Sequence, residues 1–120
     1  MKYGRKISGG RYKKARKKRF YELPGQQREV KLGETKRKSE KSLGSRRKTF
    51  LLRSNTVNVK IGSKTEKLQI KNVLETPSNR FLARQNILSK GTIVETDKGK
   101  VRITNRPSQE AMVNGILIEE

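Results

Sequence analysis

Positive charge is spread so unevenly along this chain that its two ends cannot fold by the same rules. Residues 1–50 hold 19 Lys+Arg against 4 Asp+Glu, a net +15, whereas residues 51–120 hold 12 against 7, a net +5. Apolar residues run the other way, with 12 in the first 50 positions and 24 in the last 70. The first stretch is too poor in apolar side chains to offset the entropy of ordering its backbone. The second can support a small core. The total of +20 over 120 residues far exceeds the ~2–8 that keeps a small domain soluble. A compact state carrying that charge repels itself unless a polyanion neutralises it.

The run Lys13–Arg19 reads KKARKKR, six cations in seven residues. On a helix these would stack like charges at i,i+3 and i,i+4, which is destabilising. Gly9-Gly10 and Pro24-Gly25 interrupt regular structure further. Residues 1–48 are therefore expected to form a basic extension, irregular or disordered when free. Its candidate phosphate contacts are Lys2, Arg5, Lys6, Arg11, Lys13, Lys14, Arg16, Lys17, Lys18 and Arg19, followed by Arg46, Arg47 and Lys48 beside the first expected strand. Arg presents a planar fork that pairs bidentately with phosphate, and Lys a point charge. Tyr3, Tyr12, Phe20 and Tyr21 are interleaved with these cations. Two roles are open to them: stacking on unpaired bases, or anchoring the extension on the folded domain.

From Thr49 the pattern changes to period two. Thr49–Arg53 reads as a first strand; Val57, Val59 and Ile61 alternate with polar residues, as do Leu68 and Ile70. Thr92–Thr96 and Lys100–Thr104 flank Asp97-Lys98-Gly99, a hairpin with Gly at the left-handed position. Met112–Ile118 closes the series. Asn79–Arg84, after Pro77, fits either a short strand or one helical turn. Six strands in about 70 residues predict a mainly β protein, with residues 49–120 forming a small antiparallel six-stranded barrel-like domain, because closure removes exposed edges. Arg80, Arg84, Lys90, Arg102 and Arg106 are spaced as a surface patch, with Glu75, Glu95, Asp97 and Glu110 as competing partners.

Absences exclude most chemistry. Without Cys or His there is no disulfide, no thiolate nucleophile, no usual zinc ligand and no ordinary general base. No P-loop or GxGxxG occurs. Glu95 and Asp97 flank a hairpin tip, where carboxylates are solvated. Neither catalysis, a metal nor a cofactor is expected. Apolar runs reach only three residues, as in Ile116–Ile118, against the ~20 that span a bilayer. With no signal-peptide pattern either, a soluble intracellular polyanion binder is the expectation.

The motifs also resemble a known family. Arg5-Lys6-Ile7-Ser8-Gly9-Gly10-Arg11, the KKARKKR cluster and Tyr21-Glu22-Leu23 look like the N-terminal signature of the e-type small-subunit ribosomal protein eight of archaea and eukaryotes. Asn72-Val73-Leu74-Glu75-Thr76-Pro77-Ser78-Asn79-Arg80 and Arg84-Gln85-Asn86-Ile87-Leu88-Ser89-Lys90-Gly91 resemble its most recognisable block. Similarity continues through Ile93–Thr96, Gly99-Lys100, Thr104-Asn105-Arg106-Pro107 and Val113–Ile118. Ser8, Phe81 and Ser108 depart from residues common there, and none of these changes removes a cation. The resemblance implies a cytoplasmic structural component of the small ribosomal subunit, of the short archaeal type, with a β-barrel-like domain and a basic extension threaded into RNA. Its implied partners are small-subunit ribosomal RNA and neighbouring ribosomal proteins, with no membrane or small-molecule substrate and a monomeric state off the ribosome. The alternatives are an assembly factor binding precursor ribosomal RNA and a DNA-compacting basic protein.

Overall fold

The computed structural model describes residues 4–12 and 16–118. Apolar–polar alternation in the second half of the chain closes five strands into a barrel: β4 (Thr56–Ile61), β5 (Lys64–Glu75), β6 (Ile93–Thr96), β7 (Gly99–Ile103) and β8 (Asn114–Leu117). Neighbours along the chain pair antiparallel, and β8 closes on β4 in parallel through Val59↔Gly115. Parity requires this. In a ring of five consecutive strands with four antiparallel pairings, the first and fifth strands point the same way.

Alternate residues fill the interior. Val57 and Val59 from β4, Leu68, Ile70 and Val73 from β5, Val94 from β6, and Val101 and Ile103 from β7 are all buried. Gly115 sits where β8 crosses closest to this core. A Cβ there would collide with a Val101 methyl and meet the Arg102 carbonyl oxygen at 3.0 Å.

A second, three-stranded sheet lies against the barrel in the order β1 (Lys31–Leu32), β3 (Arg47–Ser54), β2 (Lys36–Lys41). Here the structure corrects the sequence reading. All six expected segments contain strands, but Thr49–Arg53 belongs to β3 and not to the barrel, which has five strands and one parallel pair. The physical reason is that Phe50 and Leu51, adjacent and so on opposite faces, are both buried. A barrel strand has only one inner face, so β3 must be covered twice. The stretch read as irregular also contains β2, none of whose residues is buried. Its ladder to β3 rests on backbone hydrogen bonding, so it leaves no alternation to detect. Only Asn55 separates β3 from β4, and its carbonyl accepts from Ile70 N at 2.8 Å.

Chain entering from the N-terminal side is stitched to the barrel at Val30, which is 1% exposed and part of the core. Leu88 N donates to Val30 O at 2.7 Å and Leu32 N to Asn86 O at 2.8 Å. The open alternative at Asn79–Arg84 resolves as a helical turn, α1 (Arg80–Arg84), capped by Asn79 Oδ1 accepting from Phe81 N at 3.0 Å. Asn86 follows it at φ 53°, in the left-handed conformation that ends helices and that Asn tolerates. The β6–β7 connection is two residues, Asp97-Lys98, because Gly99 already pairs with Thr96.

Candidate nucleic-acid interface

Three groups of cations emerge, each positioned by a different element. The first lies on the N-terminal segment. Arg5 and Arg11 form an isolated antiparallel bridge, tightened by Lys6 N to Gly10 O at 2.9 Å and Gly9 N to Lys6 O at 2.9 Å. The Lys6 ammonium sits 5.6 Å from the centre of the Tyr12 ring. Further on, a single 3₁₀ turn at Phe20–Glu22 buries none of its residues, and Phe20 and Tyr21 are exposed at 92% and 73%. Lys17, Lys18 and Arg19 are exposed beside it. Arg16 is committed differently: its guanidinium grips Glu22 at 2.5 and 3.0 Å. This ion pair, with the Arg19 backbone N–H at 2.9 Å, holds the Glu22 carboxyl below the usual carboxylate range. Lys2, Tyr3, Lys13 and Lys14 lie outside the described residues.

The β2–β3 ribbon forms the second group, and its register sorts the charges by face. Directly opposed residues share a face, so Lys41↔Arg47, Ser39↔Thr49 and Arg37↔Leu51 lie on one side, and Glu40↔Lys48 and Lys38↔Phe50 on the other. The second face neutralises part of its charge internally. Glu40 accepts from Arg28 at 2.5 Å and lies 3.3 Å from the Lys38 ammonium, while the Arg28 guanidinium stacks 3.9 Å from the centre of the Phe50 ring. The first face carries Arg37, Lys41 and Arg47 and no carboxylate. Arg46 sits in the connecting turn, where its carbonyl accepts from Ser42 N at 2.8 Å.

The third group flanks α1. Arg80 and Arg84, four residues apart and so on one side of the helix, line a groove of about 600 Å³ with Asn72 and Asn86, and Glu75 on its wall. Arg28, Lys90 and Arg106, from three separate segments, line a second groove of about 300 Å³ that includes Leu82 of the same helix and Glu29. Arg102 stands apart, on the outer face of β7 between Ile93 and Ile116.

Of the four acids expected to compete for these cations, two bond elsewhere: Asp97 pairs with Lys71 at 3.1 Å and Glu110 accepts from the Asn105 side-chain amide at 2.7 Å. Glu75 lines the Arg80–Arg84 groove without a salt bridge to either arginine among the described residues. Among the described residues, Arg80, Arg84, Lys90, Arg102 and Arg106 have no ion-pair partner. Sequence reasoning missed Arg28, Arg37 and Lys41 as candidate site residues. All three lie in a stretch with no pattern to rank them. Among the described residues, no helix is long and apolar enough to cross a membrane.

Comparison with known proteins agrees over nearly the full length. The family described as Ribosomal protein S8e matches residues 1–118. The chain is 45% identical over 117 residues to the small ribosomal subunit protein eS8 of Nanoarchaeum equitans, covering 96% of this chain and 92% of that protein. It is 38% identical over 115 residues to the protein of the same name from Haloarcula marismortui, covering 96% and 94%. The Methanosarcina barkeri protein of that name is 39% identical over 118 residues, covering 96% and 94%.

Proposed function

Because the chain belongs to the ribosomal protein S8e family, whose members are structural proteins of the small ribosomal subunit and not enzymes, we propose that it binds ribosomal RNA by two coupled parts. Residues 1–48 are the RNA-binding extension and residues 49–120 the domain on which RNA docks, with β2 bridging the two. The observation that carries this reading is the set of exposed cations, Arg80, Arg84, Lys90, Arg102 and Arg106, that have no ion-pair partner among the described residues. With 31 Lys+Arg to 11 Asp+Glu, most of the cations have no acid to pair with, and phosphates supply the missing counter-charge.

In this reading Arg5, Lys6, Arg11, Lys17, Lys18 and Arg19 follow the sugar–phosphate backbone, joined by Lys2, Lys13 and Lys14. Tyr12, Phe20 and Tyr21, exposed among these cations, stack on unpaired bases, as does Tyr3. Arg46, Arg47 and Lys48 carry the track to the domain. Arg80, Arg84, Lys90, Arg102 and Arg106 dock it on structured RNA, and Arg16 orders the 3₁₀ turn through Glu22. Neighbouring ribosomal proteins are the second class of partner, and the site of action is the assembled cytoplasmic subunit.

Deleting residues 1–20 tests the proposal. The truncated protein keeps its barrel, since the first core residue is Val30, and its affinity for small-subunit ribosomal RNA falls by about 10³-fold or more at low salt, with a shallower dependence of log K on log salt. Unchanged affinity and slope would overturn the proposal.

A further inference from the structure

One cleft of the molecule lies apart from the grooves beside α1 and shares only Arg37 with the ribbon group. It lies where the two sheets meet, encloses about 150 Å³, and is lined by Arg37, Thr56, Asn58 and Lys67 above the apolar Leu51 and Val113. That volume is the share of about five waters in the liquid, enough for one phosphate and a face of its sugar.

Asn55 lies between the lining residues Ser54 and Thr56; its side-chain oxygen accepts from the hydroxyl of Thr35, also in the lining, at 3.2 Å, and its carbonyl accepts from Ile70 N at 2.8 Å. Arg37 sits opposite Leu51 in the β2–β3 register, on the carboxylate-free face of the ribbon. Lys67 sits opposite Asn58 in the β4–β5 register. The two cations thus reach the cleft from different sheets, and no carboxylate lines it.

The neutral groups are as informative as the charges. Asn58 spends its side-chain N–H on Asn114 Oδ1 at 3.2 Å, which fixes the amide with its own oxygen as an unspent acceptor among the described residues. The Thr56 hydroxyl is likewise unspent there. Two cations supply donors for the non-bridging oxygens of a phosphate. An oriented acceptor beside a hydroxyl matches the one sugar group that both donates and accepts, the ribose 2′-hydroxyl. A pure anion site needs no acceptor, and an acceptor facing a phosphate oxygen would repel it.

We infer that this cleft takes one phosphate of an RNA strand together with its ribose, Arg37 and Lys67 holding the phosphate and Asn58 with Thr56 reading the 2′-hydroxyl. It is the point at which the chain distinguishes RNA from DNA. The inference rests on the RNA-binding reading and adds a discriminating site to it.

The test uses the full chain with a single-stranded uridine dodecamer and its 2′-deoxyuridine counterpart, titrated between about 50 and 200 mM salt. Wild type should prefer the RNA. Arg37→Gln with Lys67→Gln should weaken RNA binding about ten- to a hundredfold and lower the salt slope by about 0.7 for the one phosphate released. Asn58→Ala should weaken RNA binding about two- to tenfold and leave DNA binding unchanged. A double variant matching wild type would overturn the site, as would an Asn58→Ala change that weakens RNA and DNA equally.

A second measurement needs no variant. Wild-type NMR spectra are followed during addition of uridine 3′-monophosphate, its 2′-deoxy analogue and inorganic phosphate. The Asn58 side-chain amide and the Thr56 backbone amide should shift most with the ribonucleotide. Equal shifts with all three probes, or none, would overturn the ribose assignment. Failure of the wild-type chain to bind either oligonucleotide would instead strike the RNA-binding reading itself.

Discussion

The barrel and the β2–β3 ribbon are both largely antiparallel β structure, yet they are held by opposite means. In the barrel, each strand gives one face to a shared interior, where Val57, Val59, Val94 and Val101 are wholly buried. In the ribbon, no β2 residue is buried and the first three residues of β3 are exposed. It is held by its ladder, by the Arg28–Glu40–Phe50 stack on one face and by Leu51 at its base. A barrel strand must spend every second position on the core and so carries cations on one side only. Freed from that demand, the ribbon carries them on both sides, and the two sides then differ in whether a carboxylate accompanies them. Charge density in this protein therefore rises where burial stops.

The contrast is broken most forcefully at its junction. Leu51→Ala removes a side chain that is 1% exposed and packs against the barrel, and should cost about 2–5 kcal/mol in denaturant unfolding. Lys38→Ala, in the same ribbon but outside any core, should stay within about 0.5 kcal/mol. Comparable losses from the two would mean that the ribbon has a core of its own.

Gly115→Ala tests barrel closure at a single atom. The added methyl meets Val101 and the Arg102 carbonyl across the β7–β8 pair, and overpacking of this kind costs about 1–3 kcal/mol. Loss of the β4–β8 amide protection in hydrogen exchange, with the β2–β3 ladder retained, would locate the damage in the barrel.

The smallest expected effect lies on the N-terminal segment. Glu22 titrates below the usual carboxylate range because the Arg16 guanidinium, and then the Arg19 N–H, favour its charged form. A lowered folded-state pKa contributes order to the 3₁₀ turn above the ordinary carboxylate range, and that contribution is lost as pH falls through the lowered value. Proton NMR should show the Glu22 midpoint rising toward an ordinary carboxylate in Arg16→Gln, with the barrel signals unaffected. An unchanged midpoint would remove Arg16 from its ordering role and return it to the cations free to meet phosphate.

What was legible in the sequence follows the same divide. Val57, Val59, Leu68, Ile70, Val101 and Ile103 are correctly assigned to an interior because alternation directly encodes a single buried face. Phe50 and Leu51 break that code, since two adjacent buried residues mean a strand covered on both sides, and counting them toward the barrel gave one strand too many. Lys36–Lys41 encodes nothing of its pairing, because backbone hydrogen bonds carry no side-chain signature. Val30 and Leu32 are two apolar residues in a polar stretch, too few to set a pattern, and their placement depends on the loop that follows α1. The cations at Arg80, Arg84, Lys90 and Arg106 were visible as a set, but their division between two grooves follows from tertiary placement. The Arg37–Lys67 cleft needed the register of two sheets at once.

The central claim is that RNA contact follows unpaired cations and not charge as such, and the ribbon tests it with net charge held equal. Lys41→Gln removes a cation from the carboxylate-free face; Lys38→Gln removes one that lies 3.3 Å from Glu40 on the other face. Binding of each variant to small-subunit ribosomal RNA is measured across a salt titration. The prediction is that Lys41→Gln lowers the slope of log K against log salt by about 0.7–0.9, and that Lys38→Gln leaves it near wild type. Equal slopes for the two variants would contradict the claim and reduce the ribbon to a source of undirected charge.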